Sequence, residues 1–192
     1  MKYFLLWELC LYVSFMIGDL WSMPWSYCTN GIKYLAVISC VLYSWFLGSM
    51  VQKKRIHSLQ FALLYSCCAD YFMLFTDDVW LGILGFICVQ ICYGYSNLFL
   101  KVGIVFEIAL IYWGIGGAYN HFEIVVMMAL CYMVISIWNL VRVKKDILFI
   151  GMILLLIGDF FVGLNQIVPS IYPAMWFFYL PSQVCVVMAS EF

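Results

Sequence analysis

Charge is what this sequence has least of. Nine Lys and Arg and ten Asp and Glu make up 10% of its 192 residues, while 67% are hydrophobic. That scarcity excludes an ordinary soluble domain, which cannot hide so much apolar surface. With a net charge of −1 and no basic stripe, no nucleic-acid partner is expected. Histidine is nearly missing: His57 and His121 both fall at the ends of apolar runs. A zinc hydrolase site normally needs several His or Cys with carboxylates, so no metal is expected. There is no G-x-S-x-G, so a serine hydrolase is not indicated. Nine cysteines are present, but they are scattered and imply no disulfide framework; eight fall in apolar runs, as small apolar filler.

Apolar runs of roughly 16–20 residues recur along nearly the whole chain, the length that crosses a bilayer. A spanning chain must satisfy its backbone internally, as helices or as a closed barrel. These runs do not alternate as barrel strands do, so helices are expected. The reading is an all-α, polytopic transmembrane bundle of about eight spans, near 3–21, 32–51, 58–76, 79–96, 99–118, 121–141, 147–166 and 172–190. It forms a single integral membrane domain, 1–192. The N-terminus resembles a signal peptide, yet it lacks a small-x-small cleavage site and carries Glu8 and Asp19, so it is kept as the first span. Breaks fall at turn-rich or charged stretches: SMPWSYCTNG (22–31), QKKRIH (52–57), TDD (76–78), RVKKD (142–146) and VPSIYP (168–173). With both termini cytoplasmic, the inner segments hold Lys2, Lys53, Lys54, Arg55, Lys101, Arg142, Lys144 and Lys145, and the outer ones only Lys33. That is the positive-inside bias, and an odd number of spans destroys it.

An ionisable group at mid-membrane costs about 2.5–3.5 kcal/mol on insertion scales, so it stays only where something compensates. Glu8, Asp70, Glu107 and Asp159 lie well inside predicted spans; Asp19 lies near an outer end. Neutral polar residues there include Gln90, Asn139, Asn165 and Gln183. At a 1.5 Å rise per residue, Asp70 and Asp159 each lie roughly 18 Å from the inner end of their spans, and Gln90 and Gln183 roughly 16 Å from the outer end. All four then share one level near the bilayer centre. ADYF (69–72) parallels GDFF (158–161), and GFICVQICYGY (85–95) loosely parallels WFFYLPSQVCVV (176–187). The offset of four spans suggests a 4+4 parallel repeat, with a site between the halves. Two carboxyls in one cavity hold one proton between them more readily than none or two, which makes an acid and a base from one residue type. The plainer reading is that each Asp only bridges helices. Pro181, two residues before Gln183, is expected to kink the last span.

LLYSCCADYFMLF (63–75) followed by WLGILGFICVQICYGY (80–95) resembles the third and fourth spans of the YhhN-like lysoplasmalogenase family. KKDILFIGMILLLIGDFFVGLN (144–165) and WFFYLPSQVCVV (176–187) resemble its seventh and eighth. The motif is an Asp in an apolar helix followed by Gly82, Phe86, Gln90 and Tyr93 in a G-x3-F-x3-[HQ]-x2-Y pattern. The resemblance implies an eight-span enzyme without cofactor that cleaves the vinyl ether bond of lysoplasmalogens, releasing a fatty aldehyde and a glycerophospho-alcohol. It implies Asp70 and Asp159 as the catalytic acid and base, with Gln90, Tyr93 and Gln183 holding water or the lysophospholipid substrate. Two positions depart from the family's pattern: Gln90 stands where His is common, and Gly158 where Ser often precedes the Asp. Glutamine cannot shuttle protons, which implies slow turnover or another substrate if that His is needed. The alternative function is a membrane transporter or lipid-binding protein using the same acids as proton relay or counter-ion. A third is an assembly subunit in which the acids only lock helices.

Overall fold

The computed structural model describes residues 1–20, 26–48, 54–76, 78–94, 121–143, 146–165 and 172–191, and at 26–27, 47–48, 54–55, 121–124, 126–127, 163–165, 172 and 191 it describes the backbone alone. The expected span 99–118 lies outside these residues, with its Lys101, Glu107 and glycines 114, 116 and 117. So do Asp77, Lys53, Lys144, Lys145 and Pro169.

Among the described residues the chain is all helix: α1 (Lys2–Leu20), α2 (Ser26–Gly48), α3 (Lys54–Tyr71), α4 (Val79–Tyr93), α5 (His121–Arg142), α6 (Ile147–Asn165) and α7 (Tyr172–Glu191). A π-helical turn, Phe72–Thr76, extends α3 directly after Asp70 and Tyr71. Lys2–Leu20 and Ile56–Thr76 are long and apolar enough to cross a membrane, and Val79–Tyr93, Met128–Arg142 and Ile147–Val162 are shorter apolar helices. The largest difference from the expected boundaries is at α2, which starts at Ser26 rather than near 32 and takes Asn30-Gly31 into the helix. Tertiary contact overrides the local turn preference there. Thr29 packs on Gly18 of α1, and Lys33 pairs with Asp19.

Each helix packs on the next described one, from α1 through α7, and α7 returns against α1, α2 and α3. The broadest contacts are α3–α4 and α6–α7, and both use glycine. A Cβ on Gly85 would lie 2.7 Å from the Ala69 Cβ, and one on Gly151 would lie 2.9 Å from the Cys185 Cβ. The missing side chains let these backbones approach. The main core joins Phe15 of α1, Val37 and Cys40 of α2, Leu63 of α3, Leu155 of α6, and Trp176, Leu180 and Val187 of α7. A smaller cluster of Ile87, Met128 and Tyr132 ties α4 to α5. The carboxylate Oδ1 of Asp146 caps α6 by accepting from the Phe149 N–H (3.2 Å), so part of the RVKKD charge run ends one helix and starts another.

Pro181 sits inside α7. It has no N–H to give the Phe177 carbonyl one turn back. The Tyr12 hydroxyl of α1 donates to that carbonyl instead, at 3.2 Å.

Candidate functional site

Asp70 lies in the last turn of α3 at a point where Ala69 presses against Gly85 of α4, so the carboxyl is delivered into the bundle and is only 4% exposed. Its Oδ2 accepts a hydrogen bond from the Tyr179 hydroxyl of α7, 2.7 Å away. Asp159 projects from α6, and its Oδ2 accepts from the Tyr132 hydroxyl of α5 at 2.6 Å. Asp159 acts electrostatically on Asp70, Tyr93, Tyr132 and Tyr179. Gly158 brings α6 close to α7 beside this point: a Cβ there would meet the Met175 carbonyl oxygen at 3.5 Å and the Tyr179 nitrogen at 3.7 Å. Phe86 of α4 lies between the two phenols, 5.9 Å from the Tyr179 ring in perpendicular contact and 6.3 Å from the Tyr132 ring. The two acid–phenol pairs are thus held on one aromatic partition.

Gln90 of α4 is buried with its amide engaged. Its Nε2 donates to the Tyr132 oxygen at 3.4 Å. Its Oε1 accepts from Asn139 Nδ2 of α5 at 3.1 Å. Asn139 Nδ2 also donates to the Gln90 backbone carbonyl, at 2.8 Å. Gln183 of α7 is the opposite case. Its side chain is fully buried, and neither its Nε2 nor its Oε1 has a hydrogen-bond partner among the described residues. The Tyr93 hydroxyl is likewise buried and has no hydrogen-bond partner among the described residues. A buried amide with nothing to bond costs free energy, and so does a buried hydroxyl; a water or a ligand hydroxyl repays both.

All five expected site residues lie on α3, α4, α6 and α7. Asp70, Asp159, Gln90 and Tyr93 are brought into one neighbourhood, and Gln183 stands one helical turn past Tyr179. Glu8 does not join them: it is buried between α1 and α2 and accepts from the Ser39 hydroxyl. Asp19 is held by Lys33. The residues that sequence reasoning missed are Tyr132 and Tyr179. Their signals are faint. Tyr179 precedes Gln183 by four, and Tyr132 precedes Asn139 by seven, spacings that share a helix face. With 14 tyrosines in the chain, nothing local singles these two out.

No family model, curated protein or solved structure matches this chain.

Proposed function

We propose that this chain is a polytopic membrane protein of about eight spans that hydrolyses the vinyl ether bond of lysoplasmalogens, with Asp70 and Asp159 as its acid and base. The membrane reading is supported by an inside-out distribution of side chains. Glu8, Lys33, Asp70, Gln90, Asn139 and Gln183 are buried. Leu6, Leu9, Val13, Ile17 and Leu20 form an exposed apolar stripe along α1, and Leu130, Val134, Ile137 and Val141 another along α5. Such stripes suit lipid rather than water.

The observation that carries the hydrolase reading is the pair of carboxyls, each accepting from a tyrosine hydroxyl, with Asp159 acting electrostatically on Asp70, together with the Tyr93 hydroxyl and Gln183 amide, buried and without a hydrogen-bond partner among the described residues. Vinyl ether hydrolysis asks for this set. A carboxylic acid protonates the alkene carbon distal to oxygen, leaving an oxocarbenium ion. The neighbouring carboxylate stabilises the cation and takes a proton from the water that attacks it. The resulting hemiacetal returns its hydroxyl proton to the first carboxylate. The C–O bond to glycerol breaks, and the second acid protonates the leaving oxygen. Aldehyde and glycerophospho-alcohol depart with both carboxyls restored. Tyr93 and Gln183 are suited to hold the glycerol hydroxyl or the attacking water.

Aldehyde release from a lysoplasmalogen by purified protein in detergent tests this, alongside Asp70→Asn and Asp159→Asn. Turnover is expected in the wild type and a loss of at least about 100-fold in each variant, the usual scale of general acid–base catalysis. A wild type that releases no aldehyde but is thermally stabilised by lysolipid overturns the hydrolase reading in favour of a lipid-binding or transport protein.

A further inference from the structure

The two carboxyls are not equivalent, and the difference starts at a backbone carbonyl. The carbonyl oxygen of Gln90 can only accept. It takes the Gly94 N–H at 3.0 Å and the Asn139 side chain at 2.8 Å. The Asn139 atom facing it is therefore the NH2 group, and that NH2 also faces the Gln90 side chain. The Gln90 atom there must in turn be the carbonyl oxygen, which leaves its NH2 pointing at the Tyr132 oxygen. Ser136 gives its own hydroxyl proton to the Tyr132 backbone carbonyl (2.9 Å), so Gln90 is the donor to the phenol. With its oxygen receiving an N–H, the Tyr132 hydroxyl turns its proton to Asp159 Oδ2. Neither the Asn139 nor the Gln90 amide orientation is arbitrary: each follows from the bond before it.

The relay Asn139 → Gln90 → Tyr132 → Asp159 thus aims a series of aligned donors at one carboxyl. Such series polarise along their length and favour negative charge at the accepting end. Asp70 has nothing comparable. The hydroxyl of its partner Tyr179 makes no second hydrogen bond among the described residues, so no donor there imposes a direction on that phenol. Asp70 is also the more deeply enclosed of the two, at 4% exposure, while Asp159 is half-buried. An unscreened second negative charge beside Asp159 is unfavourable there.

We infer that Asp159 is the carboxylate of the pair, held ionised by the donor relay from Asn139 through Gln90 and Tyr132, and that Asp70 carries the proton. The catalytic meaning of this rests on the hydrolase reading: Asp70 protonates the vinyl carbon, and Asp159 takes the proton of water. Gln90 is then a positioning residue that sets the charge of Asp159 through Tyr132. This also removes the need for an ionisable side chain at position 90, since a fixed donor suffices there.

Infrared spectroscopy on resting protein in detergent at neutral pH, in H2O and D2O, tests the assignment without turnover. Glu8 is a third buried carboxyl and Glu107 lies well inside a predicted span, so the measurement is made in a background carrying both Glu8→Gln and Glu107→Gln. One deuteration-sensitive carboxylic C=O band is expected. It disappears in Asp70→Asn and remains in Asp159→Asn. Its area grows in Gln90→Leu, where Asp159 loses its relay and takes up a proton. A band lost in Asp159→Asn, retained in both Asp variants, or missing from the background protein overturns the assignment. An unchanged area in folded Gln90→Leu and Asn139→Leu overturns the relay. Aldehyde release with the wrong band pattern sinks this inference alone; the expected pattern without aldehyde release sinks only the hydrolase reading.

Discussion

Lys33 is fully buried, and its Nζ lies 2.7 Å from Asp19 Oδ2 and 2.9 Å from Oδ1. The ammonium also stands 5.2 Å from the Trp176 ring and 5.9 Å from the Phe15 ring. Opposite charge and two aromatic faces together offset the cost of enclosing this cation. Removing one partner leaves the other charge buried and uncompensated, so Asp19→Leu alone is expected to cost about 3–5 kcal/mol, while Asp19→Leu with Lys33→Met costs far less. Thermal unfolding of the single and double variants reads this directly; equal losses would show that the pair is not the constraint. Trp176 also meets Tyr179 edge-on at 5.2 Å, so the same residue that faces Lys33 braces the phenol on Asp70. Single residues thus carry two jobs here, one of anchoring helices and one of setting the site. The Asp residues were legible as anomalies because charge is so rare in the chain. Their phenol partners were not, because tyrosine is common and its hydroxyl leaves no mark in an apolar run.

At the level of the helix, the sequence leads one to expect a kink at Pro181 of α7. The helix runs through it from Tyr172 to Glu191. The carbonyl that proline leaves without a helical N–H is taken up by Tyr12, so the cost of Pro181 is met by a neighbouring helix rather than by a helix end. A double-mutant cycle tests this. Tyr12→Phe is expected to cost about 1 kcal/mol in the natural sequence and close to nothing when Pro181→Ala restores the N–H. An equal cost in both backgrounds would mean that the Tyr12 bond does not depend on the proline. The α2 boundary makes a related point. Asn30-Gly31 reads as a turn, and Gly31 meets nothing that needs a small residue. The helix forms there because its first turns are tied to α1.

For the molecule as a whole, the arrangement of charges predicts a definite orientation of the proposed eight-span protein. In a cysteine-free background, Asp78→Cys is expected to react with a membrane-impermeant thiol reagent on intact cells, and Lys54→Cys and Asp146→Cys only after permeabilisation. Labelling of all three from outside would refute the orientation. The sequence by itself determined that the chain is helical, near which residues most of its helices end, and that a few acids, Asp70 and Asp159 among them, stand within apolar runs. These are local or additive properties: run length, charge count and turn chemistry act within a few residues. What only the tertiary structure decided is who meets whom. Most helices here are apolar on nearly every side, so no amphipathic stripe tells α7 to return against α1, α2 and α3, and nothing near Asp70 announces a partner 109 positions away. Packing chose those neighbours through glycine contacts and ring shapes. With them it chose which carboxyl receives a line of donors and which stands on a single phenol.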